Sequence, residues 1–516
     1  MARYKPYCYA QGQLIPIIFS KQIQPGTFEF TLNHLIDHEL DLSRFEKRYK
    51  NDATGAPAFD PRILLKIILF AYSRGITSSR KIAKCCTENV IFMALSANSR
   101  PHFTTIADFI SSMGEEAMAI FRKVLLLCDE MGLIGKEMFA IDGCKLPSNA
   151  SKEWSGTRAD FQKKAAKMEQ AVEAMIERHR ESDRDRSEEA LTARQGKYVE
   201  TLRKKLAKIK DWLDDHEDKP GKCGKPRKSN ITDNDSATMK TSRGVIQGYN
   251  GVTAVDGKHQ VIVCANAFGQ GQEQDLLEPM IDGVRENFRA IDKEADVFAE
   301  AKLTADSGFH SSDNMEMLYE QQIDAYVPDI HFRKRDPRFA DADRHKERSR
   351  RERARRSNGN RLFRTEDFTF AEDLSYCLCP AGKRLYRSGG NAVTGGFRSV
   401  RFKGPKSACL PCGLRSQCLR HPERTEIRQV AFFQGRTAKA QDSCMEKMKR
   451  KIDSAVGRAL YAMRLAIAEP PFAHICRVMR LDRFTLCGKE KVNSQWNLFC
   501  TLHNLKKLHR YGPRFA

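Results

Sequence analysis

Two short apolar runs in this chain each close on an aspartate with a glycine close behind, and this repeated pattern limits the fold more than any other feature. In Met138-Phe-Ala-Ile-Asp-Gly-Cys-Lys145, four residues suited to a buried strand end at Asp142, and Gly143 follows. In Ala301-Lys-Leu-Thr-Ala-Asp-Ser-Gly-Phe-His310 the run ends at Asp306, with Gly308 two residues on. A carboxylate at the end of a buried strand is held rigidly at the rim of a sheet, as a metal ligand must be. Strand-end aspartates also serve as simple turn formers, so it is the second copy that gives the pattern weight. It calls for a sheet that brings the two acids together, a third acid, and a means of delivering substrate.

Charge narrows the substrate. Lys and Arg number 88 against 66 Asp and Glu in 516 residues, a net charge of +22. That excess favours a polyanion, either nucleic acid or an anionic membrane surface. No apolar run reaches the length that spans a bilayer; the best, Ile63 to Tyr72, is short and contains Lys66. The N-terminus lacks the basic, apolar and small-residue series of a signal peptide. Sixteen cysteines without an export signal argue for a reducing compartment.

Residues 1–135 read as helical. Asp60 caps a helix with Pro61 at its first position, and Ile63, Ile67, Phe70 and Ala71 form its apolar face. Ser78 or Ser79 caps a second helix, Thr87 starts a third, and Pro101 to Phe109 opens a fourth. Short helices carrying Arg74, Arg80, Lys81 and Lys84 fit a helix-turn-helix or a plain helical bundle equally well. An insertion follows the Asp142 strand. Met168, Val172, Met175 and Ile176 form one stripe, and Val199, Leu202, Leu206, Ile209 and Leu213 a heptad seam. Two antiparallel helices joined near Ser182–Ser187 are expected, then a basic linker from Lys219 to Lys228.

Gly248–Gly257 and 259–265 predict a β-hairpin turning at Asp256-Gly257. A helix is expected over Glu273–Phe288 and strands over Lys302–Ala305 and Ile323–Val327. The result is a mixed α/β sheet with Asp142 on its first strand and Asp306 just after its fourth. Residues 333–364 hold fourteen Lys or Arg against five acids, with Arg350, Arg351, Arg353, Arg355 and Arg356 nearly contiguous. Such a tract tracks a phosphate backbone or forms a solubilising arm; the total charge favours phosphate. Five clustered cysteines follow. Cys379, Cys409, Cys412 and Cys418 have the spacing of a tetrahedral Zn²⁺ site, with Cys377 spare. The chain is helical again from Thr437. Glu469 stands at an expected break before Pro470 and Pro471, and Val492, Trp496, Phe499 and Leu502 mark a last amphipathic helix.

Taken in order, Ile141-Asp142-Gly143, Thr304-Ala-Asp-Ser-Gly-Phe-His310 and Tyr461-x-x-Arg464-x-x-x-x-Glu469-Pro-x-Phe472 resemble the three acidic motifs of bacterial insertion-sequence transposases of the DDE group. The likeness extends to Ile246-Gln-Gly-Tyr-Asn250, the Phe59-Asp-Pro-Arg region, the cysteine cluster and His503-Asn504-Leu505. It implies a ribonuclease-H-like α/β core with an all-α N-terminal domain, a helical-hairpin insertion and a Cys-rich, zinc-ribbon-like insertion. The expected division is a DNA-binding N-terminal domain over 1–135 and a first part of the core over 136–330, interrupted at 155–228. A basic and Cys-rich block over 331–436 and closing helices over 437–516 complete it.

The resemblance further implies Asp142, Asp306 and Glu469 as ligands of catalytic Mg²⁺ or Mn²⁺, with structural Zn²⁺ on the cysteines. It makes Tyr461 and Arg464 contacts to DNA near the cleaved end. Cys476 stands where related sequences carry Lys, leaving Arg477 as the nearby phosphate contact. The implied partners are the element's terminal repeats and target DNA, with no membrane. Pairing two ends implies at least a homodimer, in the bacterial cytoplasm with the nucleoid. A catalytically inactive, transposase-derived DNA-binding protein is the alternative.

Overall fold

The computed structural model describes residues 16–49, 57–184, 193–221, 224, 226–242, 244–291, 296–339, 362–389, 392–394, 397–436 and 443–513. Two compact units emerge: Met1–Phe309 with Gln322–Ala325 and Ala462–Ala516, and His310–Gln321 with Tyr326–Tyr461. This division differs from the expected one. The N-terminal helices fall with the central sheet, and residues 437–461 fall with the Cys-rich block.

The first unit opens with helices α1 (Phe28–His34), α2 (Pro61–Ser73), α3 (Ser79–Glu88), α4 (Val90–Leu95), α5 (Phe103–Ser112) and α6 (Glu115–Glu130). The Asp60 carboxylate accepts the Arg62 N–H at 2.7 Å and starts α2 beside Pro61. α2 is buried from Leu64 to Tyr72, and Lys66 is tolerated there because Asp37 pairs with it at 2.6 Å. Thr87 lies inside α3; the next helix is capped by Asn89, whose side chain accepts from Ile91 and Phe92. These helices pack on a closing helix, α14 (Lys489–Tyr511), with Tyr72 stacked on Phe499 at 4.6 Å. That shared core is why they do not separate as a unit of their own.

The central sheet contains β1 (Met138–Pro147), β4 (Ala237–Thr241), β5 (Gly244–Asp256), β6 (Ile262–Phe268), β7 (Lys302–Ala305) and β8 (Asp324–Tyr326). Its order is β4-β5-β1-β7-β8, with β6 also paired to β5. β1 does not stop at Asp142. It runs on because β5 pairs with it antiparallel from Phe139↔Asp256 to Pro147↔Gly248. Gly143 is needed for close approach rather than for a turn: a Cβ there would meet the Asn250 side chain at 2.8 Å. β4 has no counterpart in the sequence reading; its residues alternate too weakly to stand out. The insertion carries the two-residue pair β2 (Ser155–Gly156) and β3 (Ser229–Asn230) and the helices α7 (Arg158–Arg184) and α8 (Ala193–Asp215). Val172, Val199 and Leu202 form one buried cluster between them, and Phe161, Ala165, Ile209 and Trp212 another.

Helix α9 (Leu277–Arg289) starts four residues later than expected, leaving Glu273 in the loop before it. Among the described residues, no helix is long and apolar enough to cross a membrane.

The second unit contains α10 (Ser312–Glu320), α11 (Phe332–Arg335) and α12 (Cys444–Asp453). Arg335 ties this part together by pairing with Asp329 at 2.7 Å and Asp453 at 2.6 Å. A six-stranded sheet is built from β9 (Thr369–Phe370), β10 (Tyr376–Leu378), β11 (Arg384–Arg387), β12 (Ala392–Thr394), β13 (Phe397–Lys403) and β14 (Gln429–Arg436).

Helix α13 (Ala455–Ala473) carries the last acidic motif, and it does not break at the prolines: Pro470 and Pro471 lie inside it. Proline removes the N–H that would bond the carbonyl four residues back. Pro470 thereby frees the Ala466 carbonyl, which accepts instead from the Gln260 side chain at 3.3 Å. A single wide turn, His474–Val478, then ends the run.

Candidate active site

Parallel pairing of β1 with β7 sets Ile141 opposite Ala305. The next residue on each chain is an aspartate, so the register itself brings Asp142 and Asp306 together. Arg464, from α13, lies between them. Its guanidinium donates to the Asp142 carboxylate and stands 3.8 Å from that of Asp306. The arginine side chain is 10 % exposed and that of Asp142 17 %, so the pair is poorly hydrated. Burial pushes the Asp142 carboxyl up to about 6, against the pull of Arg464 and with a further push from Asp306.

A third carboxylate reaches this place from outside the expected motifs. Glu273 accepts from the Asn250 amide at 3.2 Å and lies 3.8 Å from the Lys145 ammonium. Burial raises its pKa, with Lys145 and Asn250 opposing and Asp306 adding to the rise. Gly308, two residues past Asp306, leaves the room it needs: a Cβ there would fall 2.1 Å from a Glu273 oxygen. Nothing periodic marks Glu273, which follows a Gly- and Gln-rich stretch.

Glu469 is exposed on α13. It lies five residues beyond Arg464, about 140° around the helix, and is not among the main charges acting on Asp142. Tyr461 packs edge-on against Phe332, with ring centroids 5.3 Å apart. Arg477 is exposed on the wide turn. The free thiols of Cys476 and Cys144 on β1 share a hydrogen bond, which pushes the Cys144 thiol up and pulls that of Cys476 down. Arg350, Arg351, Arg353, Arg355 and Arg356 lie outside the described residues.

In the second unit, Cys377 is fully buried in a cluster with Phe368, Leu385, Val400, Phe402 and Val430. Cys379, Cys409, Cys412 and Cys418 instead line one cavity of about 30 Å³. Cys379 begins a tight turn: the Gly382 N–H bonds its carbonyl, the Lys383 N–H points at its sulfur at 3.3 Å, and Gly382 takes φ +70°. Gly404 lets the backbone pass Cys409, since a Cβ there would meet its sulfur at 2.6 Å. The Cys418 thiol is pushed up by burial, with smaller pushes from Cys379, Cys409 and Cys412 and a pull from Arg428. Among the described residues, no three His, Cys, Asp or Glu are gathered closely enough to hold a metal ion.

Two families match the chain. Residues 378–509 match the family described as a transposase DDE domain, and residues 18–112 one described as a transposase domain. The first match covers the cysteine cavity, α13 and most of α14, and begins after both aspartates. No curated protein matches the chain.

Proposed function

The chain belongs to the insertion-sequence transposases of the DDE type, and from that premise we propose that it binds the ends of its own element, cuts the DNA there and joins the freed ends to a target. The observation that carries this reading is the β1–β7 register, which sets Asp142 and Asp306 side by side with a cation between them. An all-oxygen donor set in a poorly hydrated place suits Mg²⁺ or Mn²⁺. Asp142 and Asp306 would hold the ions; Glu469 would complete the set, a role that rests on its place in the Tyr461-Arg464-Glu469 motif, since α13 turns it about 140° from Arg464.

When bound, the metal lowers the pKa of attacking water, or of a DNA 3′-hydroxyl, and stabilises the leaving oxygen. The chain's own residues do the rest. Arg464 neutralises the two acids while DNA is absent. An arriving phosphate competes for its guanidinium, and Arg464 then serves the contact expected of it near the cut. Glu273, held by Asn250 and Lys145, adds a further negative charge beside Asp306. Tyr461 and Arg477 offer further contacts to the DNA end. The four cysteines around one small cavity suit a structural Zn²⁺, which would staple the second unit. Holding two ends at once requires at least two copies of the chain.

A DNA-binding protein without catalysis is the second reading, favoured by Cys476, which turns toward Cys144 where related sequences offer a lysine to DNA. Cleavage of a labelled duplex carrying the element's ends, with Mg²⁺, separates the two. On the main reading the wild type cuts at the element boundary, while Asp142→Asn and Glu469→Gln bind without cutting. If the wild type itself binds and never cuts, the second reading holds. A joined product on supercoiled target DNA distinguishes transposition from simple nuclease action.

A further inference from the structure

A groove beside the acidic site is lined by Lys145, Lys219, Arg227, Lys228 and Lys240 and by one acid, Asp275. Its volume is about 620 Å³. One wall is the edge strand β4, another the stretch that returns from the α7–α8 insertion, and the third the Gly269–Gln272 loop leading to Glu273. The walls are locked rather than loose. A Cβ on Gly269 would fall 1.8 Å from the Asp235 carbonyl, and one on Gly271 3.1 Å from Met239. These glycines let the loop lie flat against β4 and keep the groove open.

The cations are graded along it. Arg227, Lys228 and Lys240 are exposed, Lys219 is half-buried with its ammonium on the Asn234 carbonyl, and Lys145 reaches the acidic site beside Glu273. Burial and Arg227 pull the Lys219 pKa down, against Asp235 and Asp233, which favour its charged form. Glu273 answers Lys145, and Asp235 and Asp233 act on Lys219, which leaves the exposed Arg227, Lys228 and Lys240 as a run of like charge that a polyanion would relieve.

We propose that this groove holds the phosphate backbone of the DNA strand adjoining the scissile phosphate, and leads it along β4 to Lys145 and the acids. The inference rests on the transposase reading above and adds to it the path of the DNA. The groove does not depend on the basic tract at 333–364, whose expected phosphate contacts fall mostly outside the described residues.

The test uses the full chain and a labelled duplex carrying the element's end and its flank, with binding measured across a series of KCl concentrations. Each phosphate contact contributes a slope of about −0.9 to log affinity against log salt. The triple variant Arg227→Gln/Lys228→Gln/Lys240→Gln should lose about 2.7 from the wild-type slope. These side chains are exposed, so its thermal unfolding should match the wild type. A control, Lys204→Gln/Lys205→Gln on the exposed face of α8, should leave the slope unchanged. Neutral methylphosphonates next to the cut should weaken the wild type and leave the triple variant unaffected, since both remove the same contact.

An unchanged slope in the triple variant, with normal wild-type binding, overturns the groove and leaves the transposase reading intact. Equal loss in the control also overturns it, by showing that general charge is responsible. If the wild type fails to bind the duplex at all, both inferences fall.

Discussion

A guanidinium between two carboxylates is stable only until something better is offered to the acids. Arg464 pairs with Asp142 and stands near Asp306, and so would compete with the metal proposed for these acids. Arg464→Gln should therefore raise Mn²⁺ affinity of the DNA-free chain roughly tenfold, about 1.4 kcal/mol, while lowering cleavage. Equal Mn²⁺ affinities, measured by calorimetry, would show that the arginine does not guard the site. The two further acids should part company in the cleavage assay. Glu273→Gln removes a supporting charge and should cost about 10–100-fold, the usual range for groups behind a metal ligand; Glu469→Gln should abolish cutting. The reverse order would make Glu273 the third ligand. Asp142 and Asp306 were legible in the sequence because an apolar run closing on an acid is a local pattern. Glu273 was not, because only the packing of its loop against Gly308 brings it near.

At the scale of elements, helix α14 explains the His503-Asn504-Leu505 motif as structure. The Asn504 amide accepts the Ile262 N–H at 2.9 Å and donates to the Ile262 carbonyl at 2.8 Å, satisfying backbone groups at the start of β6, whose only ladder partner among the described residues is β5. Asn504→Ala strands both backbone groups in the interior and should cost about 2–4 kcal/mol in urea unfolding; a loss below about 0.5 kcal/mol would mean water replaces the amide. Next to it, burial pulls His503 down to about 3 and His474 to about 4, and their ring nitrogens lie 2.9 Å apart. Both values lie below the unfolded 6.5. The unfolded chain thus binds more protons between 6.5 and those values. The neutral pair's contribution is complete above pH 6.5 and is lost as pH falls toward 4 and 3, by up to about 1.4 kcal/mol per pH unit for each ring. Unfolding of His503→Asn between pH 7 and 5 should show a shallower pH slope than wild type; an identical slope would contradict a buried neutral His503. The Asp60-Pro61 start of α2, the β5–β6 hairpin and the insertion seams could be read from the sequence because capping and periodicity are local, whereas the starts of α4 and α9 lay elsewhere than expected. The passage of α13 through two prolines could not, since the group that rescues it, Gln260, is more than two hundred residues away.

For the whole molecule, the two units should differ in what keeps them folded. The first buries long strands against α14 and the N-terminal helices, with β5 buried almost end to end. The six-stranded sheet of the second rests on a small cluster around Cys377, Phe402 and Val400, with strands of two to eight residues. A sheet with so little apolar interior gains little from burial, and the four cysteines that line one cavity are where the proposed zinc would staple it. On the zinc reading proposed above, metal held there would add its binding free energy to folding, so removing it should cost this sheet more than the rest of the chain. Hydrogen exchange read segment by segment tests this directly. With a strong zinc chelator, or in Cys412→Ser, amides of β10, β11 and β13 should lose protection by tenfold or more, while those of β1 and β5 keep theirs. DNA binding through the first unit should then survive chelation, at reduced affinity. If protection is unchanged and no zinc is released, the cavity is a packing feature of reduced thiols. If β1 and β5 lose protection in step with β13, the two units fold as one, and the cysteines support the acidic site as well as their own sheet.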